Sequence, residues 1–218
     1  MQLPDGYILL RKDVKHARLR VSEDGQVRVI IPNTFSEADI DGVLKKKKVW
    51  IEKNKRFFEG KSKIVLPRNG LLLFGNRYHY FYDLACGQKV VVDDVHKTVR
   101  AKRNLLDTLV QERWYKKVAK NHLVLRTEEL AANLNFTYNG LYIRSQKKKW
   151  GNCSKDKNIS LNWRLIKAPP FVIDYLIVHE LVHTQVMNHS YKFWTLLRSH
   201  FPDYKAAINW LDKYGNSL

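Results

Sequence analysis

The sequence is poor in the features that mark secreted or membrane proteins. Only two cysteines, Cys86 and Cys153, occur among 218 residues, which argues against a scaffold held together by disulfides. No apolar signal segment follows Met1, and no apolar run approaches the roughly 18 residues of a membrane span. We therefore expect a cytoplasmic protein without membrane contact.

Acidic residues are also scarce. Twenty-one Asp and Glu stand against 39 Lys and Arg, giving a formal net charge of +18 at pH 7. The basic clusters, some beside tryptophans, lie at 45–48, 53–56, 116–120 and 147–149. Basic groups near aromatic rings favour nucleic acid as a partner of this surface. A solvated face, or attraction to acidic protein substrates, is the alternative explanation.

The sequence has few glycines and prolines, ten and six, and no low-complexity linker. Its apolar content of 44%, with 12% aromatics, is typical of a folded globular protein. In residues 1–100, alternating apolar positions predict a β-rich region with one basic helix from Ser36 to about Glu59. The predicted strands are 7–10, a hairpin over 17–32 turning at Asp24-Gly25, and 71–74, 77–84, 88–93 and 97–100.

Residues 101–218 predict a second, mixed unit. Helical spacing runs from Arg103 to about Asn133, and three short strands follow within 135–161. Pro169-Pro170 marks the start of another, very apolar helix, because proline is tolerated in the first helical turn. We expect an α+β protein with a boundary near residue 101.

The apolar helix carries His179-Glu180-Leu181-Val182-His183. Two histidines four residues apart lie one turn above each other on a helix and can bind a single ion. Glu180 is rotated by about 100° from His179 and would lie beside the metal as a base for bound water. Two ordinary, satisfied histidines on a core helix are the alternative.

A catalytic zinc site usually has three protein ligands and one open position. His189 is the best candidate for the third ligand if the helix ends soon after His183. Asn188 tolerates the left-handed conformation of helix ends, and Ser190 can cap a following helix. The spacing equals that of the metzincin proteases, but Val186 stands where they have glycine, so the turn must be built differently. We therefore predict one Zn2+ ion bound by His179, His183 and His189.

The sequence also resembles a known family, the YgjP-like metal-dependent hydrolases, which share motifs with the SprT and WLM zinc peptidases. The similarity covers essentially the whole chain, and its most specific segments are 150–154, 159–165, 168–169, 174–175, 178–183, 188–190, 193–194 and 202–204. The resemblance implies a zincin-like catalytic unit in 101–218, with a long helix and a small mixed sheet. It also implies that His179, His183 and His189 are the ligands and Glu180 the catalytic carboxylate. Where the family usually has arginine and serine, this chain has Lys149 and Asn152.

The function predicted from these features is a zinc metallopeptidase that cleaves a protein or peptide substrate, with Glu180 as general base. The positive charge and the resemblance to SprT and WLM proteins favour action on DNA-associated proteins. One alternative is a metal-dependent hydrolase of nucleotides or another phosphorylated small molecule. Another is a non-catalytic, zinc-containing nucleic-acid-binding module. The sequence does not predict the oligomeric state.

Overall fold

The structure, a computed structural model, describes residues 3–22, 25–59 and 64–218, with only the backbone of residues 57–59. The chain divides into two compact units, residues 1–62 and 63–218. The described elements are helices and small mixed sheets, which confirms the predicted α+β class.

The first unit is a three-stranded sheet followed by a helix. Its elements are β1 (Tyr7–Lys12), β2 (Arg18–Val21), β3 (Val27–Pro32) and α1 (Glu37–Glu59). β3 is the central strand, parallel to β1 and antiparallel to β2. The predicted hairpin is therefore confirmed, with Gly25 at a φ of 79° in its turn. Asp24, predicted for the same turn, lies outside the described residues.

Helix α1 begins at a reciprocal cap. Ser36 Oγ accepts from the Asp39 amide at 3.2 Å, and Asp39 Oδ2 accepts from the Ser36 amide at 2.9 Å. Ile40 and Ile51 are buried with the inward-facing residues of β3. Trp50, predicted for the same stripe, is exposed, because one residue rotates it by about 100° from Ile51. The side chain of Phe58, also predicted for the stripe, lies outside what is described, as does Gly60, the predicted helix end.

The second unit contains the remaining elements. Its strands are β4 (Gly70–Leu73), β5 (Asn76–Tyr82), β6 (Val90–Asp93), β7 (Thr98–Ala101), β8 (Gly140–Arg144), β9 (Gly151–Cys153) and β10 (Asn158–Asn162). Its α-helices are α2 (Thr108–Asn133), α3 (Pro170–His183), α4 (Tyr191–His200) and α5 (Tyr204–Tyr214). One sheet has the order β4-β5-β7-β6 and the other β8-β10-β9, which leaves β9 at a sheet edge.

The β4–β5 turn holds the segment that leads into α3. Phe74 and Gly75 both have positive φ, 49° and 76°, and their amides donate to the carbonyls of Ile166 and Lys167 at 2.8 and 3.0 Å. A Cβ on Gly75 would lie 2.8 Å from the Pro169 ring, so the two segments approach closely. The first sheet of this unit therefore fixes where the apolar helix starts.

The compact units do not divide at the predicted boundary near residue 101. The Tyr115 hydroxyl on α2 donates to the Leu72 carbonyl at 2.8 Å and accepts from the Leu72 amide at 3.0 Å. The β4–β7 sheet thus shares a core with the helices, including Leu71, Tyr78 and Val99. Strand patterns alone do not reveal this packing, because it joins segments far apart in sequence.

Helix α3 is almost entirely buried and starts with Pro170 in its first turn, as predicted. Asp174 on α3 accepts two hydrogen bonds from Arg126 on α2, at 2.7 and 2.8 Å. Such a bidentate pair fixes both the distance and the rotation of the two helices.

Within the described residues, no helix is both long enough and apolar enough to span a membrane.

Candidate metal centre

The structure brings the three predicted histidines together. The Nε2 atoms of His183 and His189 lie 3.2 Å apart, and those of His189 and His179 lie 3.1 Å apart. The candidate ligand atoms of all three side chains fall within 4.8 Å of one another. His179 and His183 approach from one face of α3, whereas His189 approaches from the segment between α3 and α4.

The chain returns to the cluster because α3 ends at His183. Thr184 Oγ1 donates to the Leu181 carbonyl at 2.7 Å, and the amides of Gln185 and Val186 both donate to the Val182 carbonyl. Val186 is buried, so an apolar side chain anchors the turn where metzincins have glycine. The turn is built differently, as predicted.

Asn188 and Ser190 were predicted to shape this turn, and only Ser190 lies where it was expected. Asn188 is not among the described residues with positive φ, so a left-handed Asn188 is wrong. The helical-type hydrogen bonds to the Val182 carbonyl instead extend the turn at the end of α3 to Val186. Ser190 does occupy the N-cap position of α4, but without a side-chain capping bond.

Contacts on the far side of each ring orient the imidazoles. His183 Nδ1 lies 3.0 Å from the Val186 carbonyl, which can only accept, so Nδ1 carries the proton. His179 Nδ1 lies 3.4 Å from the Tyr175 hydroxyl. A protonated Nδ1 leaves the Nε2 lone pair free to point into the cluster. Burial, and then the neighbouring histidines, lower the pKa of His179 to about 3; burial also lowers the pKa of His183.

This donor set fits a divalent metal. Zn–N bonds of about 2.0–2.1 Å in tetrahedral geometry put two ligand nitrogens roughly 3.3–3.4 Å apart. The observed separations of 3.1 and 3.2 Å are close to that value. When all three rings present an Nε2 lone pair to this space, the lone pairs repel one another at these distances. A cation resolves the mutual repulsion.

Glu180 lies beside the cluster and is 4% exposed. Its Oε2 has no hydrogen-bond partner among the described residues. Burial raises the pKa of the carboxyl to about 8, and the charge of Lys149 opposes that shift. A buried carboxylate oxygen without a partner is costly in a merely structural position. Its lone pairs are available to a molecule in the site.

A sequence profile of the YgjP-like metallopeptidase domain matches residues 15–214. The chain belongs to the YgjP-like metallopeptidase family. It is therefore a metal-dependent peptidase that acts on peptide or protein substrates, and the family implies a divalent metal, typically zinc. No curated protein matches the sequence.

Two solved structures are similar to part of this YgjP-like chain. One is the metallopeptidase zymogen abylysin of Pyrococcus abyssi, with 23% identity and a TM-score of 0.36, over 39% of this chain and 87% of that chain. The other is the metallopeptidase zymogen jannalysin of Methanocaldococcus jannaschii, with 26% identity and a TM-score of 0.33, over 39% and 92%.

Sequence reasoning missed the side chain on which the histidines rest. Phe193, fully buried at the start of α4, contacts all three rings, with centroid distances of 4.9 Å to His179, 4.5 Å to His183 and 4.7 Å to His189. The sequence places Phe193 on a buried helix but gives no contact partner. Only the position of Phe193, four residues after His189, could have indicated from the sequence that the two side chains lie close together.

Strand β9 forms one wall of the site in this YgjP-like protein. The cavity between β9 and the cluster has a volume of about 270 Å³, and its lining consists of the three histidines, Glu180, Met187, Lys149 and residues 151–153 of β9. Gly151 faces Glu180, whereas Asn152 Oδ1, one residue on, accepts from Gln146 Nε2 at 2.6 Å. Because successive strand residues face opposite sides, the Asn152 side chain points away from Glu180.

Cys153 returns to the Glu180 side of β9. Burial, and then the charge of Glu180, raise the pKa of its thiol to about 11. The thiol is therefore protonated at neutral pH and is a poor nucleophile. Cys153 is a free, partly buried side chain rather than a reactive group of the site.

Gly151 leaves the space that Glu180 occupies. A Cβ at this position would lie 2.6 Å from Glu180 Oε1 and 2.9 Å from both Cγ and Cδ. We expect Gly151→Ala to lower kcat by about 10- to 100-fold at similar KM and zinc content, because displacement of a reacting group by about 1 Å can cost that much. Steady-state kinetics on a quenched peptide and elemental analysis measure the three quantities.

The matched control is Gly42→Ala. A Cβ at Gly42, on α1, meets no heavy atom within 4 Å, so this change adds the same methyl group without a clash. It should leave kcat unchanged. A Gly151→Ala enzyme with the kcat of the parent would show that the Glu180 carboxylate tolerates the displacement.

Proposed function

We propose that the chain is a zinc-dependent peptidase in which His179, His183 and His189 bind one zinc ion and Glu180 is the general base. The observation that carries the proposal is the convergence of three Nε2 atoms, two pairs of them 3.1 and 3.2 Å apart, next to a buried carboxylate. A zinc ion in such a site would supply Lewis acidity and lower the pKa of its water toward about 7.

Glu180 has the geometry to handle the protons of peptide hydrolysis. Its unpartnered Oε2 can accept a proton from the attacking water, and the resulting carboxylic acid can donate that proton to the leaving amine. The nitrogen then departs as a neutral amine. Because the side chain is held in a nearly water-free position against Gly151, it needs little reorganisation for either transfer.

The position of β9 supports an extended peptide as substrate. β9 pairs with β10 and is the edge strand of its sheet, so its outer backbone groups are available to an added strand. The cavity beside it has one lysine, Lys149, and the buried carboxylate of Glu180. A phosphate group would be repelled by a negative charge on Glu180, whereas a neutral peptide carbonyl would not be repelled. This favours a peptidase over the nucleotide hydrolase considered above.

We further propose that the protein acts on DNA-associated substrates. The formal net charge of +18 and the exposed lysines 45–48 on α1 support this. Lysines 147–149 are also exposed and lead directly into the strand that lines the site. A polyanion near the site would therefore be attracted to the same surface as the substrate.

Metal removal tests the assignment. Purified protein should contain about one zinc per chain and cleave unfolded, fluorescein-labelled casein. Dialysis against 1,10-phenanthroline should abolish the cleavage, and one equivalent of zinc should restore it, whereas magnesium should not, because three imidazoles do not suit that ion. Elemental analysis and fluorescence release measure both outcomes. Cleavage that survives complete zinc removal would rule out the mechanism.

A further inference from the structure

A second cavity, larger than the metal site, lies along α2. Its volume is about 820 Å³, which is within the usual range of about 300–1,000 Å³ for ligand sites. The walls come from residues 88–90, from Arg103 and Leu105, and from one face of α2 between Val110 and Asn121. The face spans about 16 Å of helix. We call this cavity the α2 groove.

The α2 groove has a cationic rim and an apolar floor. The rim carries four exposed cations, Lys89, Arg103, Arg113 and Lys117. The floor consists of Val90, Leu105, Val110, Trp114 and Val118. No residue of the lining is acidic. A ligand for this groove therefore needs an anionic group joined to a compact apolar part.

The rim cations are not neutralised by the protein. None of the four forms an ion pair with a carboxylate in the part of the chain that is described. Arg103 Nη2 instead donates to the neutral amide of Gln88 at 2.9 Å, which positions the guanidinium without compensating its charge. The nearby carboxylate of Glu112 is bound to Lys116 at 2.7 Å. The positive potential of the four rim cations therefore remains available to a ligand.

We propose that the α2 groove binds a nucleoside phosphate, either free or as a unit of single-stranded nucleic acid. Two arginines on the rim can each donate two parallel hydrogen bonds to phosphate oxygens. The flat π-face of the base suits the floor, which combines aliphatic side chains with the indole of Trp114. No groove residue belongs to the histidine cluster, so the proposal does not depend on the proposed peptidase mechanism.

The test uses the full chain and fluorescence anisotropy of a fluorescein-labelled 15-nucleotide oligo-dT. We expect Lys117→Gln to weaken binding about 3- to 10-fold at 100 mM salt and to reduce the slope of log K against log salt by about 0.7, the value for one single-strand phosphate contact. The matched control is Lys205→Gln, an exposed lysine on α5 that lines neither the groove nor any of the basic clusters named above. It should change binding by less than about 2-fold.

Competition identifies the source of the phosphate. Displacement of the probe by ADP would assign a free nucleotide, and displacement only by unlabelled oligo-dT would assign single-stranded nucleic acid; either supports the proposal. Duplex DNA of the same length should compete more weakly, because its bases are stacked. Equal competition by duplex DNA or by poly-glutamate, equal effects of the two lysine variants, or no binding of oligo-dT and ADP would each overturn it. Zinc content and casein cleavage, measured in parallel, decide the peptidase proposal separately.

Discussion

Glu180→Gln is expected to lower kcat for peptide cleavage by on the order of 10³-fold while zinc stays bound at one ion per chain. The amide has nearly the same shape as the carboxylate but cannot accept a proton from water, and general acid–base catalysis typically contributes 10²–10⁴-fold. The change should not unfold the protein, because a neutral amide of nearly the same shape replaces the buried carboxyl group and Oε2 has no hydrogen-bond partner to lose. Single-turnover kinetics, zinc analysis and thermal unfolding measure the three effects.

Glu128→Gln is the matched control for this experiment. Glu128 is exposed on α2, so the same chemical change there should leave kcat within about 2-fold of the parent value. A Glu180→Gln enzyme that keeps more than about a tenth of the parental kcat would show that another group removes the proton. If the chain were instead a non-catalytic zinc module, the parent protein itself would cleave no peptide.

Local patterns were sufficient to predict several elements of the fold, including the helix that carries two of the histidines. Pro170 marked the start of α3, and the hairpin between β2 and β3 was visible from alternation alone. The spacing of His179, His183 and His189 was enough to predict that they meet, because a helical turn fixes the first pair and a short connection limits the reach of the third. These features depend on residues close in sequence.

Contacts between distant segments could not be predicted in this way. Gly151 and Glu180 are 29 positions apart, and nothing in either motif shows that one makes room for the other. The same holds for Phe193 beneath the histidines and for Tyr115 bonded to Leu72. Asn152, where the family usually has serine, faces Gln146 because its place in the pleat of β9 decides its direction. Only the packed structure shows such relations.

His189→Ala is expected to weaken zinc binding by on the order of 100-fold or more. Apparent binding energies of about 10–16 kcal/mol for four-ligand zinc sites correspond to roughly 3 kcal/mol per ligand, or a factor of about 100. His179 and His183 would remain on α3, but two imidazoles leave half of the coordination sphere without protein ligands. Competition against a chromogenic zinc chelator measures the change in affinity.

The zinc-free forms of the parent and of His189→Ala should unfold at similar temperatures, because His189 is exposed and Phe193 keeps its buried position without it. Zinc should raise the melting temperature of the parent, since a ligand at 100 times its Kd stabilises by about 2.7 kcal/mol. At the same zinc concentration the variant should lose most of this shift. His200→Ala, which alters a histidine outside the cluster, should keep it. An unchanged zinc affinity in His189→Ala would mean that the third ligand is a different group, and the three-imidazole site would have to be abandoned.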